Sequence, residues 1–356
     1  MKKAASIVMS LFLMITVLAA CGSNNANDKS SNNGGSASNA PAATDAPENN
    51  EKNLKIALVL PEPIGVNPFW ALMDEGLKRG GEEFGVEVRT IESTDPAGFE
   101  QNLRATVAEN YDLIITASFQ ATDALTKVAN ENPDKSFALI DEYSDLPNVR
   151  SVVFREHEAA YLLGAAAGLS TKTNTVGAVV AMEIPLMKKY TEGFNQGLLS
   201  VNPEAKFLIH YVNSFNDPAK GKELALLQNS QGADFVAGMA ATSDLGVFEA
   251  AKEKGFYTSG QDVDRTNLDP EHIVLSQLKG TDAVAYETVK SFAEGSFEFG
   301  TFDYGVAEGA VGLTFVTHES ESPLSDFVGQ ANVDQLKTIA EDIKSGKIVV
   351  NNPLAE

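Results

Sequence analysis

Apolar residues along this chain fall into short unbroken runs that alternate with longer stretches in which they recur every third or fourth position. Runs rich in valine and isoleucine occupy 54–60 (LKIALVL), 86–92, 113–117, 137–141, 152–154, 176–181, 206–212, 235–239 and 273–277, and predict strands. The intervening periodicity predicts helices over 71–84, 99–109, 121–130, 158–169, 190–199, 219–231, 245–254 and 282–293. The first of these carries Leu72, Met73, Leu77 and Phe84 on one face, with Glu75 and Arg79 spaced to pair. Asp217 and Asp282 stand as caps, and Pro218 follows Asp217 at the first helical position. Strands that are apolar throughout and separated by helices imply parallel sheets covered on both faces. The alternation runs twice, which predicts two α/β lobes: 54–155 with about 276–305, and 156–275 with about 306–350. Hinge strands would join them around a cleft, and ligands of open α/β sheets sit beyond the carboxyl ends of the strands.

Ahead of this body, Lys2 and Lys3 precede an apolar run from Ile7 to Leu18 that is too short to span a membrane stably. Leu18-Ala19-Ala20-Cys21-Gly22 resembles the bacterial lipobox. That resemblance implies a signal peptide over 1–20, lipidation of Cys21 as the new N-terminus, and a membrane-anchored, extracytoplasmic protein. Cys21 is the one cysteine among 356 residues, which excludes an internal disulfide or a cysteine metal cluster. From 21 to 53 the chain is mostly Asn, Ser, Ala, Gly and Pro, too poor in apolar bulk to fold, and reads as a disordered tether. No later apolar run has the length of a transmembrane helix. The formal charge is −22, or −24 once Lys2 and Lys3 are removed. Such a surface repels nucleic-acid phosphates and anionic head groups, so nucleic acid is excluded as a partner.

Candidate chemistry gathers at the strand ends. The first strand runs into a loop with Asn67, Phe69 and Trp70, the sole tryptophan. Aromatic rings beside an amide suit a flat, partly polar ligand. They equally suit stapling the first helix to the core. Later strand ends supply Phe119, Asp141, Phe215, Gly238, Asp262 and Lys279. Asp262, after a short strand and a glycine, can accept hydrogen bonds from vicinal hydroxyls as acids that read a ribose do, or simply cap its loop. Lys279 adds a donor, and Phe215 either stacks or fills core.

Enzyme signatures are missing from the sequence. GxSxG, GxxxxGK[ST], HExxH and a GxGxxG after the first strand do not occur, and Asp217 to Lys222 lacks the glycine and Ser/Thr of a phosphate loop. His157, His210, His272 and His318 are scattered without metal-ligand spacing. Neither a catalytic site, a metal nor a cofactor is expected.

Several segments resemble the basic membrane protein (BMP) family of substrate-binding lipoproteins of ABC importers, which includes purine-nucleoside receptors. Phe154-Arg155 through Glu158-Ala159 to Gly164, Val176-Gly177 through Ile184-Pro185 to Gly193-Phe194, Ser214 to Lys222, Gly260 to Asp264 and Ile343 to Ile348 carry the match. The resemblance spans about 54–350 and implies a type I periplasmic-binding-protein fold, two Rossmann-like lobes closing over a ligand. In nucleoside-binding members aromatic rings sandwich the base and an aspartate of a G-x-D-x-D segment holds the ribose. Carried over, Phe215 is the stacking ring, Asp262 the ribose ligand, Lys279 a further polar contact, and Gly238 a place for close backbone approach. The chain departs from the family where an acidic D-x-S-F-N segment is usual. There it has Gly65-Val66-Asn67-Pro68-Phe69-Trp70, which looks like the loop of sugar-binding proteins, and Arg265 stands where Gln is common. The expectation is a monomeric, lipid-anchored binding protein that delivers a nucleoside to ABC permease subunits. The alternatives are a pentose or other sugar, or a lipoprotein that presents ligand to a sensor.

Overall fold

Two six-stranded sheets carry residues 53–355, the part of the chain described by this computed structural model. The expected signal peptide, the lipidation at Cys21 and the tether up to residue 52 lie outside the described residues. The first run of elements is β1 (Lys55–Leu60), α1 (Pro68–Phe84), β2 (Glu87–Glu92), α2 (Pro96–Ala108), β3 (Leu113–Ala117), α3 (Thr122–Glu131), β4 (Ser136–Ile140) and β5 (Val149–Phe154). The second is α4 (Glu156–Ser170), β6 (Thr175–Val180), α5 (Pro185–Val201), β7 (Lys206–Tyr211), α6 (Pro218–Ser230), β8 (Phe235–Met239), α7 (Asp244–Lys254), β9 (Tyr257–Asp262) and β10 (Ile273–Lys279). The chain then returns through α8 (Thr281–Ala293), β11 (Gly300–Tyr304), β12 (Val311–Leu313) and α9 (Gln330–Lys344).

The first sheet has the order β11-β5-β4-β3-β1-β2 and is parallel throughout. The second has the order β12-β10-β9-β8-β6-β7, with only β12 antiparallel. Inner strands such as β1 and β3 are buried on both faces, as their unbroken apolar runs require. Three connections pass between the sheets: after β5, after β10 and after β11. β10 stays in the second sheet to Lys279, so the return begins just past the expected 276.

Helix ends follow their capping residues. Asn67 Oδ1 accepts from Phe69 N at 3.1 Å with Pro68 in the first turn, and Asp217 Oδ1 accepts from Lys220 N at 2.9 Å ahead of Pro218. Asp282 is not a cap; it lies inside α8 and takes Arg79 Nη2 at 3.2 Å, so Arg79 pairs across helices and not with Glu75. α4 is buried on nearly every side. It approaches α5 backbone to backbone: a Cβ on Gly164 would lie 1.9 Å from the Phe194 carbonyl oxygen, and one on Gly197 1.9 Å from that of Tyr161. Neither position admits a side chain. Among the described residues no helix is long and apolar enough to cross a membrane.

Candidate functional site

The carboxyl ends of both sheets open onto one cavity enclosing about 580 Å³, the open solvent at its mouth included. Eight of the nine expected ligand residues line it: Asn67, Phe69, Trp70, Phe119, Asp141, Phe215, Asp262 and Lys279. Gly238 does not. A Cβ there would meet the Asp244 carboxyl carbon at 2.8 Å, so this glycine makes room for an acid and not for a ligand. Ser118, Asp141, Ala241 and Asp262, each at or just after a strand end, hold φ of 74°, 69°, 52° and 67° and all line the cavity. Left-handed backbone in non-glycine residues costs on the order of 1–2 kcal/mol each, and such strain concentrates at functional sites.

The floor of the cavity is a buried charge chain. Lys279, at the end of β10, donates to Asp141 Oδ1 at 2.6 Å and lies 2.9 Å from Glu156 Oε1. Lys189 of α5 donates to Glu156 Oε2 at 2.6 Å and to the Phe154 carbonyl at 2.9 Å. Asp141 directly follows β4 of the first sheet and Lys279 ends β10 of the second, so their bond ties the two sheets together. Burial pushes the Asp141 carboxyl up to about 7 against the pull of Lys279. Burial also opposes ionisation of Glu156, but Lys279 and Lys189 outweigh it and hold that group down at about 2. Lys279 loses to desolvation and gains more from its two carboxylates, and stays charged. Asp262, 8 % exposed, accepts from Gln261 Nε2 at 3.3 Å, and burial raises its carboxyl.

Aromatic residues form the walls. Phe119 follows β3 of the first sheet and Phe215 follows β7 of the second; their ring centroids are 6.4 Å apart with planes tilted by 39°. Phe69 and Trp70 meet edge to face at 4.6 Å, and Trp70 Nε1 donates to Glu62 Oε1 at 2.6 Å. Trp70 is 2 % exposed and belongs to the core, while half-buried Phe69 has Lys279 Nζ 5.4 Å from its ring. Asn67 spends its carbonyl on the helix cap.

Residues beyond those expected add to the lining, among them Leu186, Met187 and Tyr190 from α5, and Gln261 beside Asp262. The apolar periodicity of α5 marks all three of its residues as inward-facing, without separating cavity from core. Glu156 carries no local signal, because its partners come from positions far away in the chain. Elsewhere the fold brings Asp269, Glu271 and His272 together, with ligand atoms within 4.8 Å of one another, although the histidine spacing gave no sign of it. His272 Nδ1 and Asp269 Oδ2 already bond at 3.0 Å, and none of the three lines the cavity.

Residues 53–352 match the family described as ABC transporter substrate-binding protein, PnrA-like. The chain is 29 % identical to an ABC transporter nucleoside-binding protein, BmpA, of Lactococcus lactis, covering 98 % of this chain and 99 % of that one. It is 27 % identical to a CD4+ T-cell-stimulating antigen of Listeria innocua over 96 % of this chain and 98 % of the relative. Among solved structures, an ABC transporter solute-binding protein of Aeropyrum pernix superposes with a TM-score of 0.74 at 27 % identity, covering 85 % of this chain and 94 % of that chain. The chain belongs to the PnrA-like family of ABC transporter substrate-binding proteins, and its two α/β sheets are those of the periplasmic-binding-protein fold.

Proposed function

We propose that this PnrA-like substrate-binding protein captures a nucleoside, preferably a purine, in the cavity between its sheets and delivers it to an ABC permease. The observation that carries the reading is the facing pair Phe119 and Phe215, one from each sheet, at 6.4 Å. Carbon atoms in contact lie about 3.5–4 Å apart, so a planar base between two parallel rings needs a gap of about 7 Å. A small widening and levelling of the rings would admit one. Stacking on both faces is sequence-tolerant and worth about 1–3 kcal/mol per base. Asp262 lines the same cavity and would accept from ribose hydroxyls, and Lys279 lines it too. The sugar reading rests on Asn67-Pro68-Phe69-Trp70, yet the Asn67 carbonyl and the Trp70 indole are both engaged within the protein, which favours the nucleoside.

The two sheets would act as lobes, turning about the connections after β5, β10 and β11. Ligand favours the closed form only through its differential affinity for the two states. Binding without chemistry agrees with relatives named as binding proteins. Lipid at Cys21 would hold the monomer at the outer face of the cell membrane. In a thermal-shift series, adenosine, guanosine or inosine should raise the melting temperature while free ribose does not. Asp262→Ala should weaken nucleoside binding by about 1–3 kcal/mol, the cost of unpaired buried hydroxyls. Unchanged affinity in a folded variant would remove Asp262 from the site, and a shift with sugars alone would reassign the ligand.

A further inference from the structure

Beside the ligand cavity lies a second chamber that shares two of its walls, Ala241 and Gln261. It encloses about 630 Å³, mouth included. Val66, just before α1, meets there the start of α7 and the turn after β9. Its rim is apolar and largely exposed, with Val66 at 68 %, Leu268 at 56 % and Leu245 at 42 %. Arg265 lines it.

Arg265 differs from every other arginine of the chain. Arg79, Arg89, Arg104 and Arg155 pair with carboxylates, and Arg150 donates to the Glu298 carbonyl and lies over the Phe302 ring. The Arg265 side chain alone has neither an ion pair nor a hydrogen bond among the described residues, although acids outnumber bases 49 to 27 in this sequence. Its position is built: the backbone N donates to Ser276 Oγ at 2.9 Å, and its stem lies over Gly260, where a Cβ would stand 2.4 Å from the arginine Cβ. Asp244 also lines the chamber; its Oδ1 accepts from the Ala240 N–H at 3.0 Å, while its buried Oδ2 has no partner among the described residues.

We propose that this chamber takes a phosphate monoester carried on the sugar side of the ligand, with Arg265 as its counter-ion. The inference rests on the nucleoside reading of the neighbouring cavity. Gln261, the shared wall, immediately precedes Asp262, so the part of the ligand closest to the chamber is the sugar and not the base. A planar guanidinium matches phosphate oxygens with two parallel donors. Burial pushes the Asp244 and Asp262 carboxyls up, and Arg265 pulls both down.

The test is calorimetric titration of the intact protein with guanosine, guanosine 5′-monophosphate and inorganic phosphate, repeated on Arg265→Gln and Arg265→Lys. The native protein should bind the monophosphate at least as tightly as guanosine. Arg265→Gln should weaken the monophosphate by about tenfold or more and leave guanosine within roughly twofold, with Arg265→Lys in between. A native protein that binds guanosine but refuses the monophosphate overturns the inference and leaves the nucleoside reading standing. An equal loss for both ligands in Arg265→Gln also overturns it. Binding of neither ligand by the native protein overturns both readings together.

Discussion

Removing the charge of Lys279 should be the most destabilising single change at the site, and the cost should depend on pH. In Lys279→Met the stem volume is retained while Asp141, 2.6 Å away, and Glu156, 2.9 Å away, lose their shared cation. At an effective dielectric near 20, each contact carries a gross attraction of about 6 kcal/mol, most of which offsets desolvation. Breaking a buried pair leaves an uncompensated charge and typically costs about 3–5 kcal/mol. Glu156 keeps Lys189, so the penalty falls on Asp141, whose carboxyl already sits near 7. Asp141 escapes the penalty by taking up a proton. The loss should therefore approach the full figure at pH 8 and shrink at pH 5. For a chain of this size it appears as a fall in melting temperature of about 2 °C per kcal/mol, so about 6–10 °C at pH 8. Asp141→Asn introduced into Lys279→Met should restore part of the stability at pH 8. A loss under about 1 kcal/mol, or the same loss at both pH values, would refute the account of a buried charge chain.

Two further outcomes are expected. His157 is buried at the start of α4, and desolvation holds its imidazole down at about 4. A depressed folded-state value stabilises the fold above the unfolded value near 6.5 and is lost as pH falls towards 4; His157→Gln should therefore lose less stability than the native protein between pH 6.5 and 4 in urea titrations, and parallel curves would contradict the assignment. Cys21→Ala should release the protein from the membrane fraction or block its processing, and a variant still firmly bound after a high-salt wash would undercut lipid anchoring.

The architecture is legible in the sequence wherever burial on both faces leaves an unbroken apolar run, as in β1, β3 and β8. β9 escapes that signal. Its letters, YTSGQD, are polar, yet five of its six residues are buried, because groups such as Thr258 Oγ1, which donates to the Val236 carbonyl at 2.7 Å, find partners inside. β11 is an edge strand with an exposed pattern, and β12 has three residues, too few to show a period. α9 buries Val333, Leu336, Ala340 and Ile343 at helical spacing, a pattern present in the sequence but not assigned to a helix. At the site, strand ends point to the right loops because a parallel sheet gathers its carboxyl ends on one edge. Positive φ at Ser118 and Ala241 has no composition signature, and the chain of Asp141, Lys279, Glu156 and Lys189 joins residues that only the finished fold brings together. Gly238 shows the opposite failure, a glycine whose smallness serves the carboxyl of Asp244.

A crystal structure of the protein grown with guanosine would decide both the ligand and its pose. The base should lie between Phe119 and Phe215 with the rings opened to about 7 Å, and the ribose hydroxyls within hydrogen-bond reach of Asp262. Guanosine bound elsewhere on the protein, or the two rings still facing each other with nothing between them, would contradict that pose.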